Sequence, residues 1–283
     1  MINMIRADFY RLIRSKGFYV AILILLIIIG LNIYTVQPFY IGLSGAALSA
    51  EVSKDIHSEL DDMSLEERQD ISVSDYREIM LKSEGYKLDK DILSSNINLY
   101  YFFIFIAVFS LTVDFSGGSV KNTLSSAISR NKYYLAKLSF ISLCCTVIFF
   151  LNTYIVYFAN VLFNNKNLAS SLGTVTKISL LQLPAMLALA SILTGIGFML
   201  KKTAVFNTIT IPLIIVFQVV LNLAAAIFKM KEEYLYYEFQ QMLRKLANAP
   251  SDSYILNSYL VCAVVIVVFN LLGILSFKRA EIK

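Results

Sequence analysis

The sequence predicts an all-α, polytopic membrane protein with six transmembrane helices, an N-terminal interfacial helix and both termini cytoplasmic. Three observations predict it. Of the 283 residues, 57% are hydrophobic and the mean hydropathy is positive, whereas soluble domains hold closer to half apolar residues. The apolar residues gather into six runs, each near the ~20 residues that a helix needs to cross a bilayer. Basic residues concentrate in alternate connections, as short cytoplasmic loops require.

The elements follow in chain order. Over residues 1–17, Ile2, Ile5, Phe9, Leu12 and Ile13 recur at helical spacing, with Arg6, Asp8, Arg11 and Arg14 largely elsewhere on the wheel. That pattern predicts a helix lying under the membrane. A solvated basic tail is the competing reading, and the bulky apolar spacing weighs against it. The first span is 18–36, whose centre from Val20 to Ile29 has no polar side chain. Ala46-Ala47-Leu48-Ser49-Ala50 loosely resembles a signal cleavage site, but the apolar core is longer than a secretory h-region, so an uncleaved span is expected.

Residues 37–96 form an outer segment with 13 acidic against 6 basic residues, helix-like patches at 48–60 and 74–81, and no strand alternation. Such an excess keeps a loop soluble or draws cations toward a pathway mouth. The remaining spans are 97–113, 138–158, with Lys137 at its entrance, 178–200, 204–228 and 254–277. Before the last, Phe239, Met242, Leu243 and Leu246 fall on one face and Gln240, Gln241, Arg244 and Lys245 on the other, with Pro250 beyond. This predicts a short outer amphipathic helix tucked toward the bilayer.

With the N-terminus inside, the cytoplasmic segments carry Arg6, Arg11, Arg14 and Lys16, then Lys121, Arg130 and Lys132, then Lys201 and Lys202, then Lys278, Arg279 and Lys283. The net charge of +5 therefore belongs to loops beside anionic lipid, and no nucleic-acid partner is implied.

Several chemistries lack their residues. His57 is the sole histidine and has no neighbouring cysteine, so no metal site is expected. No pair of catalytic-type residues shares a span at useful spacing. Cys144, Cys145 and Cys262 lie within spans and read as packing residues rather than a disulfide framework. There is no G-x-x-x-x-G-K-[ST] phosphate loop, so the chain is not expected to hydrolyse nucleotide by itself. Ion and proton relays leave charges deep within spans, but Asp114, Lys137 and Lys177 sit only near ends.

The polar residues inside spans are amides: Asn32, Asn152, Asn160, Gln182, Gln218, Asn222 and Asn270. Two readings stand for Asn152, Gln182, Gln218, Asn222 and Asn270, namely hydrogen bonds between helices or the lining of a substrate path. Ala188, Ser191 and Gly195 make a small-residue stripe that permits close helix approach, and Pro184 and Pro212 would bend their helices.

The cytoplasmic loop 114–133 is the most specific stretch. It reads Asp114-Phe115-Ser116-Gly117-Gly118-Ser119-Val120-Lys121-Asn122-Thr123-Leu124-Ser125-Ser126-Ala127-Ile128-Ser129-Arg130. Val120, Leu124, Ala127 and Ile128 share one apolar face, suited to a partner's groove or to the lipid surface. This stretch resembles the coupling-helix segment of type-2 ABC exporter permeases, especially those of Gram-positive bacteria that handle antimicrobial peptides and lantibiotics. Asp114 stands where glutamate is usual and Gly118-Ser119 where Gly-Thr is common.

The basic N-terminal helix, similar to that family's connecting helix, and the six-span plan extend the likeness along the chain. The resemblance implies that Val120, Lys121, Leu124, Ala127, Ile128 and Arg130 contact cytoplasmic ABC ATPase subunits. It further implies that those partners bind ATP and Mg, that a second copy or a paralogous permease completes the pathway, and that the chain resides in a bacterial cell membrane. An ion-coupled secondary transporter or a membrane-embedded enzyme are the rival readings.

Overall fold

The computed structural model describes residues 2–43, 93, 97–116, 120, 123, 128–163, 170–200, 205–206, 208, 227, 235–248 and 250–279. Among them every regular element is helical: α1 (Ile2–Arg14), α2 (Lys16–Leu43), α3 (Ile97–Ala107), a π-helical stretch (Val108–Thr112), α4 (Val113–Ser116), α5 (Arg130–Phe163), α6 (Leu172–Leu200), α7 (Phe239–Ala247) and α8 (Asp252–Lys278).

Among the described residues, α5, α6 and α8 are each long and apolar enough to cross a membrane. A fourth candidate is α1 with α2, which meet at 68°. The expected second span, 97–113, lies on α3 and the π-helical stretch, with only Phe102–Leu111 in the shorter apolar class. The expected fifth span, 204–228, falls outside the described residues except Val205, Phe206, Thr208 and Ile227. Of the outer segment 37–96, only 37–43, at the end of α2, and Leu93 are described.

Local chemistry fixes the helix ends. Ser15 makes the corner between α1 and α2: its hydroxyl donates to the Leu12 carbonyl at 3.0 Å and accepts from the Phe18 amide at 3.2 Å. One residue thereby satisfies an orphan acceptor of one helix and an orphan donor of the next. Glu238 caps α7 by accepting from the Gln241 amide at 3.0 Å, and Ser251 caps α8 through the Tyr254 amide.

The amphipathic α7 buries Met242, Leu243, Leu246 and Ala247, three of them on the face anticipated from spacing. Pro184 lies within α6 without ending it, as bilayer-spanning helices tolerate.

α6 is the central helix. It buries Ala188, Ser191 and Gly195, and at that stripe α8 comes so close that a Cβ on Gly195 would lie 2.6 Å from the Phe269 carbonyl oxygen. On α8, a Cβ on Gly273 would lie 3.0 Å from the Gly195 Cα and 2.8 Å from the Tyr134 hydroxyl. Small residues are what permit such backbone approach in lipid, where dispersion contacts rather than water exclusion bind helices. The opposite face of α8 leaves Leu256, Leu260, Val264, Val267, Leu271 and Leu275 exposed, a surface suited to hydrocarbon.

Candidate functional site

At one end of the bundle, four charged side chains from three separate elements meet, three of them below the surface and Arg11 part-exposed. Lys137 of α5 is 2% exposed, Asp8 of α1 is 5% and Asp114 of α4 is 3%. The Lys137 Nζ donates to both carboxylate oxygens of Asp8 at 2.8 Å and lies 2.5 Å from Oδ2 of Asp114. Arg11 donates to Oδ1 of Asp114 at 2.6 Å and stands 3.6 Å from Asp8. The Tyr133 hydroxyl donates to Oδ2 of Asp114 at 2.8 Å. Two acids and two bases balance, and most lone pairs have a donor, which offsets the desolvation that otherwise makes buried charge costly.

The two acids are not equivalent. Burial pushes the Asp8 carboxyl above its ordinary value, because Lys137 only partly compensates and the charge of Asp114 adds to the rise. Burial would raise Asp114 as well, but Lys137 together with the hydrogen bonds from Arg11 and Tyr133 outweighs it and holds that carboxyl below the usual range. Asp114 is therefore the fixed anion and Asp8 the more easily protonated partner.

The sequence reading set Asp8 apart from the apolar face and left Lys137 at a helix entrance; the structure turns both inward. The reason is mutual, since each supplies the countercharge without which the other would remain in water. A signal existed in the sequence: Asp8 lies three residues after Ile5 and four before Leu12, so it shares their face of the helix. Lys137 and Asp114, more than a hundred residues away in the chain, have no such marker. Arg11 and Tyr133 carried none as members of this cluster.

Asp114 of this cluster lies just before the sequence stretch 117–129, most of which lies outside the described residues, and a second anchor immediately follows it. Arg130, at the start of α5, donates to the carbonyl oxygens of Phe277 at 3.1 Å and of Lys278. Those carbonyls lie in the last turn of α8, where acceptors lack intrahelical donors and a cation is favoured by the helix dipole.

Between the two anchors lies an aromatic floor. Phe198 is 4.6 Å from Tyr134, 4.9 Å from Phe277 and 5.6 Å from Phe115, centroid to centroid. The C-terminal ends of α4, α6 and α8 and the N-terminal end of α5 are thus packed as one block.

Of the residues assigned to a partner contact, Val120 is 2% exposed and Ile128 packs, half-buried, against the same core. In the single chain both have already spent apolar surface internally, as side chains near an aqueous loop do when their own core is within reach. Arg130 is engaged with α8 as described. Lys121, Leu124 and Ala127 lie outside the described residues, as do Gln218 and Asn222 among the span amides.

The other three amides with a pathway-lining reading are buried or between elements. Gln182 of α6 is fully buried and donates to the carbonyls of Leu93 at 3.1 Å and Leu243 of α7 at 2.9 Å. Asn270 of α8 accepts from the Tyr134 hydroxyl at 2.8 Å and donates to its own helix at Ile266. Asn152 is 1% exposed on α5. Gln182 and Asn270 thus each hydrogen-bond across to another element.

No group of three metal-ligating side chains occurs among the described residues. The model of the family described as ABC-2 family transporter protein matches residues 2–282. No curated protein matches the sequence.

Proposed function

The chain belongs to the ABC-2 family of transporter proteins, a membrane component that works with a separate ATPase subunit, and from that premise we propose that it is the permease of an ATP-driven exporter. Its substrates are antimicrobial peptides or other amphipathic compounds, moved out of the membrane or cell. ATP and Mg are held by cytoplasmic partner subunits, and a second copy or a paralogous permease completes the pathway. The location is the cytoplasmic membrane of a Gram-positive bacterium, with both termini inside and six spans.

The observation that carries this reading is the bracketing of the loop 117–129. Asp114 ties its start to α1 and α5, and Arg130 ties its end to α8. A push on a slack loop would be absorbed locally, whereas a push on a loop held at both ends moves the helices that hold it. Closure of the ATPases against Lys121, Leu124 and Ala127 then biases the bundle between two arrangements, which is what linkage of transport to nucleotide state requires.

The test is Leu124→Asp, assayed with the ATPase subunits that copurify with the chain in mild detergent. The expected outcome is continued ATP hydrolysis with transport per ATP reduced about tenfold or more, the size of effect that burying one carboxylate in an apolar contact produces. Unchanged transport per ATP would remove the loop as the contact, and absence of any copurifying ATPase would remove the ATP-driven reading.

A further inference from the structure

Away from the charge cluster, Lys245 of α7 points at two tyrosine rings, one before α7 and one on α8. The Lys245 Nζ lies 3.8 Å from the ring centre of Tyr236 and 4.6 Å from that of Tyr254. Among the described residues no acid lies within ion-pair distance of it, and the nearby Glu238 is occupied in capping α7.

The rings are held in place. The Tyr254 hydroxyl donates to the Tyr236 carbonyl at 2.5 Å, Tyr237 stacks on Tyr254 at 5.4 Å, and Ser251 caps the helix that carries Tyr254. Tyr254 is 6% exposed but Tyr236 is 37%, so one wall is rigid and interior while the other is reached from outside.

Two ring faces converging on one ammonium are the geometry by which proteins recognise quaternary ammonium groups. A primary ammonium is compact and strongly hydrated. A methylated one is larger, weakly hydrated and better matched to aromatic faces. We propose that Tyr236 and Tyr254 form a binding site for a quaternary ammonium group, and that Lys245 is a tethered occupant that such a group displaces. Because Lys245 is attached, it competes at a high effective concentration, so its removal opens the site. The group can arrive on a free compound or as a choline lipid headgroup.

The full chain, in a detergent without ammonium groups, is tested by saturation-transfer NMR with tetramethylammonium. Lys245→Met retains the apolar stem and is expected to give a methyl signal several-fold above that of the unaltered chain. Adding Tyr236→Leu, a change at the exposed wall that leaves the buried packing alone, should weaken binding about fivefold or more. Adding Tyr254→Phe instead keeps the ring face but removes the bond to the Tyr236 carbonyl, so it should weaken binding less than Tyr236→Leu does.

Equal signals from Lys245→Met and the unaltered chain would overturn the proposal, as would a signal indifferent to Tyr236→Leu. Repeating the measurement in nanodiscs separates the sources: suppression by phosphatidylcholine but not phosphatidylglycerol assigns the site to lipid headgroups, and equal signals in both assign it to free compounds.

Discussion

Lys137 is the residue on which the buried charges depend. Its removal leaves Asp8 and Asp114 facing each other in the interior, and breaking a buried pair in this way costs about 3–5 kcal/mol. Lys137→Met is therefore expected to lower the melting temperature in detergent sharply, and Lys137→Met with Asp8→Asn should recover part of the loss by discharging one orphaned acid. A melting temperature unmoved by Lys137→Met would mean that the cluster contributes nothing to stability.

pH separates the acids further. A carboxyl held below its unfolded value stabilises the fold above that value and ceases to as pH falls through its folded one. For Asp114, whose ordinary value is 3.8, the gap in melting temperature between the unaltered chain and Asp114→Asn should be complete at neutral pH and shrink once pH drops below 3.8. Asp8 works in the opposite sense, because its raised carboxyl takes up a proton more readily when folded.

Among the elements, the contact of α6 with α8 is the least tolerant of added volume. At Gly195 even a methyl group would strike backbone, the Phe269 carbonyl at 2.6 Å, so relief requires the helices to part rather than a side chain to turn. Gly195→Leu should abolish stable expression or cost several kcal/mol, on the scale of core overpacking and beyond. Gly30→Ala is the control: nothing lies within 4 Å of a Cβ there, and folded yield should be unchanged.

The stripe at Ala188, Ser191 and Gly195 was legible in the sequence because small residues three and four apart mark a helix face. The amphipathic α7 was legible for the same reason. The π-helical stretch was not, since Val108-Phe-Ser-Leu-Thr112 has no proline, glycine pair or other composition that distinguishes a wide turn from an ordinary one. Nor was the sharp corner at Ser15, where a serine after a basic turn gives no more warning than any helix cap.

At the scale of the whole molecule, apolar runs and loop charges give the membrane-embedded, all-helical plan, because lipid leaves the backbone few alternatives to helix. What they do not give is which helix ends meet. Arg130 was placed in a cytoplasmic loop by its charge, but its acceptors are carbonyls at 277 and 278, and a carbonyl has no sequence signature. The orientation is open to direct test. Single cysteines replacing Ser129 and Arg279 in a chain freed of Cys144, Cys145 and Cys262 should react with an impermeant maleimide only after cells are opened. One replacing Ser253 should react in intact cells. The reverse pattern would invert the topology.

The charge cluster also has an order in time. Asp8 and Asp114 leave the ribosome before Lys137, so a growing chain carries two acids toward the membrane before the base that makes their burial affordable. Until then Arg11 is, among the described residues, the base within reach of both acids. A chain ending just short of Lys137 holds the two carboxylates with Arg11 alone, so its first half is expected to pack less firmly than that of a chain that has passed it.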